Sequence, residues 1–163
     1  MTPPLKINIS IGEQSLEVCS PQGKCLLRYS ISSAANGVGQ LMNSNCTPAG
    51  RHVIRAKIGD GEPVNTVFRG RRPTGEIYQN EMREAEPDRD WILTRILWLS
   101  GCEPGFNRLK NVDTMRRYIY IHGTPDEVPL GTPGSHGCIR MRNHELLALY
   151  DLVSAGTPVT ISP

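Results

Sequence analysis

The chain has 163 residues with 18 Lys and Arg against 16 Asp and Glu, a net charge of +2, so it lacks the basic field that nucleic acids select and has room for one ordinary domain, expected to cover residues 1–163. Its 16 glycines and 13 prolines make it turn-rich and argue against a helical bundle, and no apolar run is long enough to span a bilayer. The 5 cysteines are odd in number, so at least one stays outside any intramolecular pairing.

From Met1 the sequence passes within a few residues into a strand-like pattern, with no basic and apolar run of the export type. This places the chain in the cytoplasm as an expectation, or in the periplasm if a leader has been removed. Ile7, Ile9 and Ile11 alternate with Asn8 and Ser10, the period of a strand with one buried face. Gly12 and Glu13 separate it from a second strand around Leu16 and Val18. The turn Ser20-Pro21-Gln22-Gly23 leads to a third strand through Leu27, Tyr29 and Ile31. Residues 34–45 loosen into Gly, Asn and Ser, and Thr47-Pro48-Ala49-Gly50 closes that loop before a strand over about 52–58.

Residues 59–90 read as a long irregular connection that includes Arg69, Arg71, Arg72 and the acidic stretch 81–90. The arginines fit a solvated loop or a contact for acidic substrate groups. The acidic stretch reads as a solvated loop or a flap. Residues 91–99 are strongly apolar and predict a buried strand, cut short by Gly101, Pro104 and Gly105, with Trp91 and Trp98 in the core. Residues 117–122 predict a strand with Tyr118, Tyr120 and His122 on one face and Ile119 and Ile121 on the other. One helix is expected near 143–153, capped by Asn143, striped with Leu146, Leu149, Tyr150 and Val153, and stopped by Gly156-Thr157-Pro158. A last strand covers 158–161. His52 and His144 have no motif around them and read as surface or capping residues.

Chemistry concentrates in Ile121-His122-Gly123-Thr124 and in Gly134-Ser135-His136-Gly137-Cys138-Ile139-Arg140-Met141. A thiolate is a strong nucleophile, but a free cysteine near neutral pH is mostly thiol, and an imidazole can take its proton. A Pro- and Gly-rich loop folding back would let Cys138 meet His122. Gly137 allows close approach of a substrate to the sulfur, and amides of this turn can face the oxygen of a tetrahedral intermediate.

His122-Gly123 followed by Ser135-His136-Gly137-Cys138-Ile139-Arg140 resembles the signature of the L,D-transpeptidase catalytic-domain family, and Thr47-Pro48-Ala49-Gly50 before a strand is similar to its layout. The resemblance covers nearly the whole chain. It implies a mainly β fold, a β-sandwich with one C-terminal helix near 143–153, and a cysteine acyl transferase acting on the L,D bond of peptidoglycan tetrapeptide stems. It implies Cys138 as nucleophile, His122 as general base and then acid, the Gly123 carbonyl as its orienter, and His136 in support. It further implies Gly137 and Cys138 amides as oxyanion donors and Tyr118, Tyr120 and Ser135 as substrate contacts. Arg140 either holds a substrate carboxylate or locks the turn. No cofactor and no metal are implied, and the partners are stem peptides or muropeptides, with acylation by carbapenems and no nucleic acid or membrane.

With the absent leader, the favoured activity is an L,D-carboxypeptidase releasing terminal D-alanine from muropeptides during wall recycling. An L,D-transpeptidase forming cross-links or exchanging D-amino acids is the alternative, and a non-catalytic peptidoglycan-binding domain is the alternative of another class. Cys102, His122, His136 and Cys138 would also supply four zinc ligands, but their spacing matches no common zinc motif. Cys138 as an inert core thiol is the plainest reading of the same residue. Cys19, Cys25, Cys46 and Cys102 read as structural thiols, with Cys19 and Cys25 flanking a turn where a disulfide could form under oxidising conditions.

Overall fold

The computed structural model describes residues 4–163; Met1, Thr2 and Pro3, and with them the expectation about the start of the chain, lie outside the described residues. The N-terminal alternation forms β1 (Lys6–Ser10), β2 (Ser15–Cys19) and β3 (Cys25–Ser30), a meander in which Ile7, Ile9, Leu16 and Val18 face inward. Strand β4 (Gly50–Ile58) follows the Thr47-Pro48-Ala49 loop. Next come β5 (Thr66–Arg69), β6 (Arg72–Ile77), α1 (Asn80–Ala85) and the long β7 (Ile92–Gly101). A short 3-10 turn (Lys110–Val112) precedes β8 (Tyr120–Gly123), β9 (Ile139–Met141), α2 (Asn143–Leu152) and β10 (Pro158–Ser162). The protein is mainly β, as expected, with one long helix.

The strands form one path, β3-β2-β1-β10-β4-β7-β5-β6, from which β8 and β9 branch at β7. The branch is possible because β7 is twice the usual strand length. Ile96, Leu97 and Trp98 pair with β4 as well as with β8, and Leu93 pairs with β5 as well as with β8. Hence β4 and β5 share one edge of β7, and β8 holds the other. The register slips between Leu93 and Ile96, where Thr94 adopts a positive φ of 76°. Arg95, the single charge of this apolar strand, sits at that slip and donates from one guanidinium nitrogen to the Glu62 and Thr94 carbonyls, while its buried Nε has no partner.

Side chains alternate across β7 and β8. Leu97, Leu99 and Ile121 join the main core with β1, β2, Ile139, Met141 and the α2 residues Leu146, Leu149 and Tyr150. Ile96, Trp98 and Tyr120 face the other way, into a smaller cluster with Phe68 and Cys138. The chemistry-bearing residues therefore lie on the face of β8 turned away from the main core.

Four expectations are corrected. Residues 59–90 are not one irregular connection: β5 and β6 form a hairpin over Gly70-Arg71, both at positive φ, the geometry that suits a two-residue loop. The exposure of all of β6 and the absence of any buried residue in α1 erased the periodicity that would have revealed them. The strand expected from residue 117 starts at Tyr120, because Tyr118 has φ 56° and lies in a turn, half exposed at 50%. Asn143 does not cap α2; Arg142 is the N-cap, and the Asn143 side chain is buried, accepting from Thr94 Oγ1 and donating to the Thr124 carbonyl.

His52 is not a surface residue. It is buried in β4, with Nε2 2.9 Å from Thr114 Oγ1 and Nδ1 3.0 Å from the Gly50 carbonyl, and burial pushes it down to about 4. The unfolded chain binds a proton near pH 6.5 while the folded chain refuses it until about 4. Stability from His52 is thus complete above pH 6.5 and falls with pH by about 1.4 kcal/mol per unit towards pH 4. Urea unfolding at pH 7 and pH 5 should show a loss of about 2 kcal/mol, reduced in His52→Gln; an equal pH response in both proteins would refute the assignment.

Candidate active site

The site is built on β8 and β9, which pair in parallel with Ile121 opposite Ile139 and His122 opposite Arg140. This register sets Cys138, just before β9, against Tyr120. The Tyr120 amide donates to Cys138 Sγ at 3.3 Å, and the thiol donates to the Tyr118 carbonyl at 3.4 Å. His122 is fully buried. Its Nδ1 lies 2.6 Å from the Gly123 carbonyl; a carbonyl only accepts, so Nδ1 carries the proton and Nε2 is left as an acceptor. Nε2 has no partner although it is buried, an uncommon state that costs stability. Gly123 is required here, because a Cβ would come within 2.2 Å of Asn143 Oδ1 and 2.7 Å of the Leu93 carbonyl.

The surroundings shift both groups towards their neutral forms. Burial pushes the Cys138 thiol up to about 12, with Asp90 adding to the rise and the Tyr120 amide, Arg140 and Arg117 opposing it. Burial likewise lowers His122, against Asp90 and the Gly123 carbonyl, which favour its protonated form. The structure brings His122 and Cys138 to neighbouring strands without a hydrogen bond between them: the thiol faces the Tyr118 carbonyl, and Nε2 faces no partner.

The turn carrying Cys138 is held from several sides. The Ser135 hydroxyl donates to the Cys138 carbonyl and accepts the Gly137 amide at 3.2 Å, so both groups are engaged inside the turn rather than aimed at a substrate. Thr47 Oγ1 accepts the Ala34 amide and donates to the Gly137 carbonyl, each at 2.9 Å, which gives the Thr47-Pro48-Ala49-Gly50 segment a task. Of the two roles open to Arg140, locking the turn is the one observed. Its guanidinium reaches Asp90 Oδ1 from NH2 at 2.9 Å and from Nε at 3.0 Å, with both side chains largely buried. Asp90 Oδ2 lies 3.5 Å from the His136 amide.

His136 is exposed and stands between two cavities. One, of about 220 Å³, is lined by Asp90, Thr124, Gly134 and Arg140; the other, of about 230 Å³, by Asn43, Arg116, Arg117 and Tyr118. Tyr120 is buried, and its hydroxyl accepts from Arg71 at 3.0 Å. The same guanidinium lies 4.3 Å over the Tyr118 ring and 5.3 Å over Trp98, so the β5–β6 hairpin tip touches the residues that bond the sulfur. Of the four residues considered for zinc, Cys102 stands apart, beside Val53, Arg108 and Met115 in another cavity.

Sequence reasoning missed Asp90, Arg71 and the bracing role of Thr47. Nothing in the sequence separates Asp90 from Glu81, Glu84, Glu86 and Asp88, although it alone abuts the apolar strand. The Gly70-Arg71 pair was a legible turn signal for the hairpin.

The fold of this chain recurs in known proteins. L,D-transpeptidase 3 from Mycobacterium tuberculosis, in complex with a faropenem-derived adduct, superposes with a TM-score of 0.59 at 17% identity over 99% of this chain and 61% of that one. An L,D-transpeptidase from Mycobacterium smegmatis gives 0.57 at 21% identity over 98% and 59%. The chain thus spans about 60% of these structures, whose likeness is one of fold. The YkuD protein of Bacillus licheniformis is 42% identical over 48 residues, 29% of either chain. The match that extends over β1 to β10, the Cys138 turn and the His122 strand together is that of the YkuD family model, described as the L,D-transpeptidase catalytic domain, over residues 4–161, and the chain belongs to that family.

Proposed function

We propose that this domain is a cysteine acyl transferase of peptidoglycan stem peptides, with Cys138 as nucleophile and His122 as its base. The observation that carries the reading is the fixed tautomer of His122: a buried, unpartnered Nε2 on the strand that also bonds the Cys138 sulfur. In the proposed reaction the thiol turns from the Tyr118 carbonyl, its proton passes to Nε2, and sulfur attacks the carbonyl at the L-centre of diaminopimelate. The C–S bond forms and the C–N bond to D-alanine breaks, with the imidazolium returning the proton to the departing amine. In the proposed step the Gly137 and Cys138 amides donate to the oxyanion, Gly137 on release from Ser135 Oγ.

The acyl-enzyme is common to two outcomes. Water as acceptor makes the domain an L,D-carboxypeptidase, the reading favoured for a cytoplasmic chain handling recycled muropeptides. Transfer to an amine is supported by the two cavities that meet at His136, since a reaction of two peptides needs two approaches. Because the M. tuberculosis neighbour carries a faropenem-derived adduct, Cys138 is the proposed point of β-lactam acylation here as well.

Incubation with a tetrapeptide stem, with and without a D-amino acid, should yield tripeptide by mass spectrometry if water is the acceptor, and exchanged or dimeric product if an amine is. Cys138→Ala should lower either product at least about a thousandfold. Binding of stem peptide with no product from the native chain would instead support the non-catalytic domain. A carbapenem should add its mass to the native chain and not to Cys138→Ser.

The resting chemistry is testable separately. With the thiol pushed up to about 12, iodoacetamide labelling of the peptide 118–140 should rise about tenfold per pH unit from pH 6 to 9. A plateau in that range would reveal a resting thiolate–imidazolium pair. Asp90→Asn removes the charge that opposes the thiolate and leaves Arg140 unpaired, so labelling at pH 7 should quicken while peptide turnover falls. Parallel changes in both rates would argue against separate electrostatic and positioning roles for Asp90.

A further inference from the structure

We propose that Glu17, Cys19 and Cys25 form a binding site for a zinc-class divalent cation at the end of the β2–β3 hairpin, apart from the Cys138 turn. Among the described residues this is the group of His, Cys, Asp and Glu side chains that meets the requirement for a shared ion: one carboxylate oxygen and two sulfurs, all within 4.8 Å of one another. The convergence follows from strand geometry. Glu17 and Cys19 are two apart on β2 and share a face, and Cys25 is the cross-strand partner of Cys19. The register slips between Val18 and Cys19, so the last pair of the hairpin departs from the regular ladder.

Two neighbours fit the assignment. Asn8 on β1, cross-strand from Glu17, donates its side-chain amide to Cys19 Sγ at 3.5 Å. An amide donor on sulfur favours the thiolate and fixes its orientation, as partners of metal ligands do. Arg28 bridges two carboxylates, 3.3 Å from Glu17 Oε1 and 3.1 Å from Glu13 Oε2, and so holds the Glu17 side chain in place beside the sulfurs. Two sulfurs and an oxygen suit zinc, with water in the fourth tetrahedral position. Cys19 is buried and Cys25 exposed, so the ion would bridge the protein interior and solvent, open to entry from the hairpin side.

Binding exchanges two S–H bonds for two metal–sulfur bonds and releases two protons, so affinity should climb steeply with pH below the thiol range, up to about a hundredfold per unit. The test uses the full chain reduced with a phosphine and titrated with cobalt(II), read by the sulfur-to-cobalt charge-transfer band in the near ultraviolet, and with zinc(II) against a chromogenic chelator. One ion per chain, a charge-transfer band, and two protons released at neutral pH are expected. Cys25→Ser, at an exposed position that tolerates the change, should weaken binding at least a hundredfold, and Glu17→Gln about tenfold. Cys138→Ser should bind like the native chain. Binding that survives Cys25→Ser or disappears in Cys138→Ser would overturn the proposal. So would a reduced chain that shows no thiolate band and merely forms a Cys19–Cys25 disulfide when the phosphine is withdrawn.

Discussion

The site depends on the pairing of a four-residue strand. Every residue of β8 is buried, and β8 is flanked by β7 on one side and β9 on the other. A strand held on both edges has its backbone groups satisfied and its register set by which side chains fit each face. Here Ile121 must enter the main core, so Tyr120 and His122 must turn to the opposite face. The parallel partner then carries Cys138 to the level of Tyr120. A slip of one residue would put His122 into the apolar core and Ile121 at the sulfur. The long β7, which meets β4 and β5 on one edge and β8 on the other, makes this placement rigid.

Burial that places the groups also silences them. In this environment a charge is unfavourable, so the thiol is raised and the imidazole lowered, and the neutral form of each is favoured. The surroundings are nonetheless arranged for charge. Arg117 and Arg140 stabilise a thiolate, Asp90 stabilises an imidazolium, and the Gly123 carbonyl holds the tautomer that can become one. An ion pair is therefore supported once the two groups come together, while a lone thiolate is not. For the proposed nucleophile, such an arrangement would slow reaction with adventitious oxidants and electrophiles, which requires the thiolate.

The sequence was readable where burial is one-sided. The Ile7, Ile9 and Ile11 alternation, the Leu146, Leu149 and Tyr150 stripe, and the apolar run of β7 each report a single buried face, and each element formed where its pattern lay. The β5–β6 hairpin and α1 escaped because they bury little, and only the Gly70-Arg71 turn marked them. His122, Gly123 and Cys138 were legible as a constellation because their residue types are chemically rare and their order is specific. Asp90, Arg71 and Thr47 were not, because a carboxylate, a guanidinium and a hydroxyl are common on any surface. Their contacts around the Cys138 turn arise from pairing across 46 to 90 residues of chain, as Thr47 Oγ1 with the Gly137 carbonyl and Asp90 with the His136 amide illustrate. Asn143 shows the converse: its position before an apolar stripe suggested a cap, but the demands of the Thr94 bulge and the Thr124 carbonyl took its amide inward.

Both thiols of interest are raised, and the balance of charges around them differs. At Cys138, Arg140 and Arg117 favour a thiolate against burial and Asp90, which suits the proposed attack on a carbonyl and disfavours metal capture. At the hairpin, desolvation and then Glu17 and Cys19 raise the Cys25 thiol, against Arg28, and oppose a lone thiolate, which makes a poor nucleophile. A dication reverses that balance, because the same carboxylate that repels a thiolate becomes a ligand beside it. The two proposed roles are therefore compatible within one domain: the arginines disfavour a metal at Cys138, and the carboxylate disfavours a lone thiolate at the hairpin sulfurs.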